Sequence, residues 1–231
     1  MSEIECQVTQ ITPLTDTVYK VELAPAFPVS FKAGQYVLVH MGENDKRPFS
    51  IANAAWDNDR IELHIGADEG NAYATEVLQR MREDGAIRLS GGHGEAYLQP
   101  NGQPIVLIAG GTGFSYTWSI LQEYLHSDHR APVTLYWGGR HSEDLYLNDE
   151  LTALANEHEH FTYVPVVEFA RDEWNGRTGW VHHAVIADHT DFSAMQVYVA
   201  GRFEMAKVVR EDLTPRGMQK DRLFGDAFAF I

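Results

Sequence analysis

The stretch Ile105–Leu125, IVLIAGGTGFSYTWSILQEYL, runs from an unbroken apolar segment through a glycine turn into helical spacing, and it leaves the chain few folds to adopt. Ile105, Val106, Leu107, Ile108 and Ala109 show no alternation, which reads as a strand buried on both faces, as in a parallel sheet. Gly110, Gly111 and Gly113 allow a sharp turn and the close approach of a ligand to the backbone. Thr112 adds a hydroxyl within the turn. From Phe114 the spacing of Thr117, Ile120, Leu121, Tyr124 and Leu125 is that of a helix. The unpaired amides and positive dipole end of such a helix favour a phosphate. The spacing is not GxGxxG, so taken alone the motif reads either as an anion cradle or as a tight structural turn.

On either side of this stretch the pattern differs. From Ile4 to about Arg88 the segments IECQVTQI, TVYKVELA, QYVLVH, RPFSIA and RIELHIG read as short strands separated by turn residues. Val18, Lys20 and Glu22 alternate with Tyr19, Val21 and Leu23, the signature of a half-solvated antiparallel sheet. An amphipathic helix over Asn71–Met81 and the strand AIRLS complete a small antiparallel β-barrel or sandwich. Gln99–Pro104 reads as a linker. Beyond it, strands alternate with helices: VTLYWGG, a helix over Glu143–Glu157, FTYVPVV, a helix near Trp180–Asp188, MQVYVAG and a helix over Phe203–Leu213. This βαβ series predicts a doubly wound parallel α/β domain with its ligand beyond the carboxyl ends of the strands. The expected domains are residues 1–101 and 102–231.

The formal charge of −15 argues against nucleic acid and anionic membrane surfaces as partners, so any phosphate must be gripped locally. With Cys6 alone, no internal disulfide, CxxC pair or cysteine-ligated cluster can form. No apolar stretch approaches the ~20 residues that span a bilayer, and MSEIECQV does not read as a signal peptide. The expectation is a cytoplasmic protein. His158 with His160, and His182 with His183, lack the spacing of a helical metal motif, and no metal site is expected.

In KRPFSIA, Pro48 cannot donate to a central ladder and marks an edge or bulge, leaving Arg47 and Ser50 free to serve a ligand or simply to face solvent. A barrel bearing an Arg-x-x-Ser strand, followed by a doubly wound domain that opens with Gly-Gly-Thr-Gly, resembles the ferredoxin-NADP reductase superfamily. FKAGQY, DKRPFSIA, IELHIGA, HGEAYL, LIAGGTGFSY, YWGGR, GRTG, AGRFEMAK and DRLFGDAFAFI extend the resemblance along nearly the whole chain, and within the superfamily it is to the bacterial NAD(P)H-flavin reductases.

That resemblance implies a flavin lying on the strand of Arg47, Pro48, Phe49 and Ser50, with the Ser50 hydroxyl beside flavin N5. It implies His64 and Ile65 lining the flavin, with Tyr36 and Tyr73 as further ring contacts; His64 also fits a core histidine. Gly110, Gly111, Thr112, Gly113 and Phe114 are expected to face the pyridine nucleotide, with Arg202 meeting its phosphates. Asp226 matches a carboxylate that the superfamily often places near the flavin, or it holds the turn after Gly225. Hydride passes from nicotinamide C4 to flavin N5 only when the rings stack in contact, so the protein's task is orientation.

Two departures bear on function. Where members with permanently bound flavin place a serine or threonine near the pyrophosphate, this chain reads GADEGNAY, whose acidic residues would repel it. FMN, riboflavin or FAD is therefore expected as a loosely bound substrate. The superfamily's Cys-Gly pattern is Ala200-Gly201 here, so no thiol faces the nicotinamide. At the end of the second parallel strand Arg140 favours the extra phosphate of NADPH, while Glu143 and Asp144 suit the ribose hydroxyls of NADH. Both nucleotides are expected to work, with Arg140 tilting the balance toward NADPH. The implied activity is reduction of free flavin by NAD(P)H for iron(III), a luciferase or a monooxygenase. A reductase with prosthetic flavin and a protein acceptor, or a non-catalytic nucleotide-binding module, also fits the residues.

Overall fold

The computed structural model describes residues 3–231. Contacts divide the chain into two units, one running through Leu98 and including Trp118–Glu123, the other made of Gln99–Thr117 and Tyr124–Ile231. The division near Leu98 follows the hydrogen bonds. Leu98 N–H donates to Ala33 in the first unit, and Gln99 N–H donates to the Tyr198 hydroxyl in the second.

The first unit is a six-stranded antiparallel sheet of β1 (Ile4–Pro13), β2 (Val18–Pro25), β3 (Tyr36–His40), β4 (Lys46–Ser50), β5 (Ile61–Gly66) and β6 (Ala86–His93), in the order β4-β3-β6-β1-β2-β5. The edge strands are not laddered to each other; just past β4, Ala52 N–H donates to the Glu62 carbonyl at 2.8 Å, so the sheet curls nearly to closure. Alternation does the sorting: Val21, Leu23, Val37, Val39, Leu63 and Leu89 are fully buried within it. Helix α1 (Ala72–Asp84) packs Val77, Leu78 and Met81 against this core. It begins at Asn71, whose side chain accepts from Ala74 N–H, and ends at Gly85 in the left-handed conformation.

The second unit is a wholly parallel sheet: β7 (Ile105–Gly110), β8 (Val133–Gly139), β9 (Phe161–Val167), β10 (Arg177–Thr178), β11 (Gln196–Ala200) and β12 (Leu223–Phe224), ordered β10-β9-β8-β7-β11-β12. Helices α2 (Phe114–His126), α3 (Asn148–Glu157), α4 (Val181–Asp188) and α5 (Phe203–Leu213) connect them. The strand order reverses between β7 and β11, which makes their carboxyl ends the switch point where such sheets bind ligands. Instead of one helix over Glu143–Glu157 there are two segments, a short turn at Ser142–Asp144 and then α3. Asp144 explains the break, since its carboxylate accepts the Arg140 and His141 amides at 2.9 Å each. The two-residue strands β10 and β12 are too short to carry a periodic signal and were not expected.

Candidate flavin and nucleotide sites

In the first unit, register assigns the faces. Val39 pairs with Arg47 and Leu89, and this row points inward; Tyr36 pairs with Ser50 on one side and His93 on the other, and this row points outward. The outer row is half-buried, and its Tyr36 and His93 rings stack 5.7 Å apart at 24°. Pro48, exposed on the same face, leaves Ser50 beside a flat, partly apolar platform. Among the described residues no hydrogen bond engages the Ser50 hydroxyl. Phe49 turns inward and packs against the core.

Arg47 is only 8% exposed, and four of its five N–H donors are engaged. Its guanidinium meets Asp45 through two nitrogens at 2.8 and 2.6 Å, Glu76 at 2.8 Å and the Tyr73 carbonyl at 2.6 Å, and it lies 4.5 Å from the Tyr73 ring centre. The Arg47 hydrogen bond holds Asp45 below the ordinary carboxylate range, and Asp45 and Glu76 keep Arg47 firmly charged. Arg47 thus ties β4 to the first turn of α1. Tyr73, 46% exposed, covers this ion cluster.

His64 and Ile65 do not present side chains to a ligand, contrary to the expectation for a flavin lining. Ile65 is fully buried in the first core. The His64 side chain is 1% exposed, with Nε2 2.9 Å from the Glu62 carboxylate, which also accepts from Arg60 at 2.7 Å. Burial alone would raise Glu62, but His64 and Arg60 bring it down to about 2. Residues two apart on a strand share a face, so His64 and Glu62 form a buried structural pair.

In the second unit, Gly111–Gly113 forms a short 3₁₀ turn between β7 and α2. Gly111 sits at φ +54°, a conformation that favours glycine, and its surroundings are open. A Cβ on Gly113 would fall on the backbone carbonyl of Ala200 at the end of β11. The turn is therefore pressed into the switch point, with Thr112 half-buried within it. Trp137 Nε1 donates to the Gly111 carbonyl at 3.0 Å and fixes the turn from β8. The Phe114 side chain does not face the nucleotide as expected. It is fully buried, stacked on Trp137 with centroids 3.8 Å apart and edge-on to Tyr146.

Arg202 caps α5 just beyond Gly201 and is exposed, as is Arg140 after β8. Neither guanidinium has a partner among the described residues, whereas Glu143 pairs with Arg171 and Asp144 is taken by backbone amides. Asp226 opens the turn Asp226–Ala229 after β12, and burial raises its carboxyl to about 6. The fully enclosed Tyr116 of α2 is raised by burial and, secondarily, by the Asp226 charge.

Sequence reasoning missed the stacking of His93 on Tyr36, and with it the polar side chains of His40 and Ser90 on the same face. Tyr36 and His40 share a phase on β3, but Ser90 and His93 are three apart on β6 and reach the same face only through a register shift in the β3–β6 pairing, which leaves no periodic signal. Among the described residues no helix is long and apolar enough to cross a membrane.

Residues 107–211 match the family described as Oxidoreductase NAD-binding domain. The chain is 48% identical to an NAD(P)H-flavin reductase of Aliivibrio fischeri, with 99% of each chain covered. It is 46% identical to an NAD(P)H-flavin reductase of Vibrio harveyi, again over 99% of both. Among solved structures, an Amycolatopsis cytochrome P450 reductase superposes with a TM-score of 0.86 at 27% identity, covering 96% of this chain and 68% of that one. Full-length identity of this order, on a barrel with an Arg-Pro-Phe-Ser strand and a parallel sheet with a glycine turn at its switch point, places the chain in the NAD(P)H-flavin reductase family.

Proposed function

We propose that the protein transfers hydride from NAD(P)H to free FMN, riboflavin or FAD, taken up as substrate and released reduced. The observation that carries the reading is the engagement of Arg47. An arginine that grips a flavin-nucleotide phosphate needs free donors, but here Asp45, Glu76 and the Tyr73 carbonyl take four of the five Arg47 N–H groups. The N-terminus of α1 gives no alternative grip, because Asn71 caps it and Asp68 and Glu69 precede it. What the first unit offers a flavin is a ring platform of Ser50, Pro48 and Tyr36; Tyr73, packed on Arg47, is a further ring contact that the family resemblance implies. A flavin held mainly by its ring system is exchangeable.

The flavin supplies the hydride-accepting ring when bound. Ser50 donates a hydrogen bond to the nitrogen that takes up hydride density, a gain of about 3 kcal/mol at most. Asp226, whose carboxyl burial raises, matches the carboxylate that the superfamily often places near the flavin and is the second catalytic candidate. In the second unit the Gly110–Gly113 turn and Arg202 receive the nucleotide phosphates. With Glu143 and Asp144 engaged, the unpaired Arg140 tilts selection toward NADPH while leaving NADH usable. Domains divided at residues 1–101 and 102–231 would separate these flavin and nucleotide roles. Reduced flavin released in this way is available to iron(III), a luciferase or a monooxygenase.

The test is the visible absorbance of the purified protein, followed by NADPH oxidation with and without added riboflavin or FMN. A colourless protein that oxidises NADPH only when flavin is added supports the reading. Yellow colour that survives dialysis overturns it in favour of a prosthetic flavin and a protein acceptor. Ser50→Ala should slow turnover at saturating flavin without unfolding the barrel, and unchanged kinetics would remove Ser50 from the mechanism.

A further inference from the structure

The outer face of β3 and β6 carries a run of polar side chains that the flavin reading does not use. The Glu3 carboxylate lies 3.0 Å from His40 Nδ1. His40 Nε2 lies 3.2 Å from Ser90 Oγ, which in turn lies 3.0 Å from His93 Nε2. The run starts at a half-exposed carboxylate, passes through a His40 side chain only 7% exposed, and ends at the ring stacked on Tyr36.

Donor and acceptor chemistry gives this run a direction. An ionised carboxylate only accepts, so His40 carries its proton on Nδ1 and, when neutral, has a bare Nε2. Ser90 then donates to His40 and accepts from His93, which places the His93 proton on Nε2 and leaves Nδ1 with a free lone pair. No other hydrogen bond engages His93 among the described residues.

We propose that His93 is a flavin-positioning residue, held by Glu3, His40 and Ser90 as the Nε2–H tautomer so that Nδ1 accepts a hydrogen bond from the bound flavin. The inference rests on the reading that flavin lies against the Ser50–Tyr36 row. Flavins carry two kinds of donor that could serve, the ring imide and the ribityl hydroxyls. Burial, with the Lys46 charge on β4 adding to it, keeps His93 below the ordinary histidine range and so neutral and able to accept. Arg88 on β6 lies at the far end of the run, 3.5 Å from Glu3, and Lys46 stands in register with His40. Protonating His40 would reverse the run: Ser90 would accept from His40 and donate to His93, moving the His93 proton to Nδ1.

The test is flavin binding by fluorescence quenching at neutral pH with riboflavin, N3-methylriboflavin and lumiflavin, comparing the wild type with His93→Phe, which keeps the ring stack and removes the nitrogens. His93→Phe is expected to raise the Kd for riboflavin about tenfold, as loss of one hydrogen bond would. If the imide is the donor, wild type binds N3-methylriboflavin about tenfold more weakly than riboflavin, and the variant abolishes that difference; if a ribityl hydroxyl is the donor, lumiflavin shows the same pattern. Nitrogen NMR of the ligand-free wild type is expected to find His93 protonated on Nε2 alone, with Ser90→Ala mixing the tautomers. A proton on Nδ1, unchanged riboflavin binding by His93→Phe, or an equal loss for all three flavins with discrimination intact overturns the proposal. Wild type that binds none of the three overturns the functional reading itself, and this inference with it.

Discussion

Asp226→Asn should stabilise the protein at alkaline pH and leave its stability nearly unchanged in acid. The Asp226 carboxyl is partly buried after β12, and no hydrogen bond to its side chain is seen among the described residues. Burial raises it from 3.8 to about 6, so ionisation costs more in the folded than in the unfolded state. Below the unfolded value both states hold the proton and the group contributes nothing. As pH rises toward 6 the unfolded chain loses the proton first, and the folded state is progressively penalised; above 6 the penalty is constant. Moving a carboxyl from 3.8 to about 6 corresponds to about 3 kcal/mol, the most that a neutral amide of the same shape could recover. The assay is urea unfolding of wild type and variant at about pH 4 and about pH 8. A variant more stable by only about 0.5 kcal/mol at about pH 4, where the unfolded carboxyl is partly ionised, and by about 2 to 3 kcal/mol at alkaline pH is expected. A gap of equal size at both pH values, or a variant less stable at alkaline pH, would refute the reasoning. Retention of an unfavourable carboxylate is what a catalytic role would demand, and flavin reduction by the stabilised variant should be slower.

Gly113→Ala drives a methyl group into the Ala200 backbone and should cost about 1 to 3 kcal/mol, with a lower thermal midpoint and weaker NADPH binding; an unchanged midpoint would show that the turn can relax. Arg140→Ala should raise the KM for NADPH about tenfold more than that for NADH, the loss of one charge-assisted contact, and equal changes would mean that Arg140 does not read the phosphate. Cys6 is fully buried with its thiol pushed up to about 12, so in the native protein it should resist thiol reagents that label it at once in denaturant; rapid native labelling would contradict its burial.

Much of the fold was legible because its signals are local. Short runs bounded by turn residues, with clear alternation in β2, marked the strands of the first unit, the unbroken apolar run marked β7, and the glycines at Gly110–Gly113 marked the turn that opens α2. β10 and β12 were not legible, since strands of two residues depend wholly on their neighbours β9 and β11. Within the candidate sites, Ser50, Pro48 and Tyr36 lie on one outer face and the glycine turn lies at the switch point. The side chains of His64, Ile65 and Phe114 are enclosed. The His64–Glu62 pairing could have been anticipated from i, i+2 spacing, but the stacking of Phe114 on Trp137 joins residues from separate strands and helices and leaves no local trace.

The amino-acid sequence by itself determined which segments are strands and helices, where the chain changes from antiparallel to parallel sheet, and which family it resembles. These follow from periodicity, from glycine's backbone freedom and from motifs read along the chain. The tertiary structure decided which charges are free. Arg47 reads beside Pro48 as free to serve a ligand, yet Glu76, far along the chain, and the Tyr73 carbonyl engage it, while Arg140 stays unpaired among the described residues and Arg171 takes Glu143. Hydrogen-bond saturation and burial depend on what arrives from elsewhere in the fold, and whether a charged side chain can serve a ligand is settled at that level.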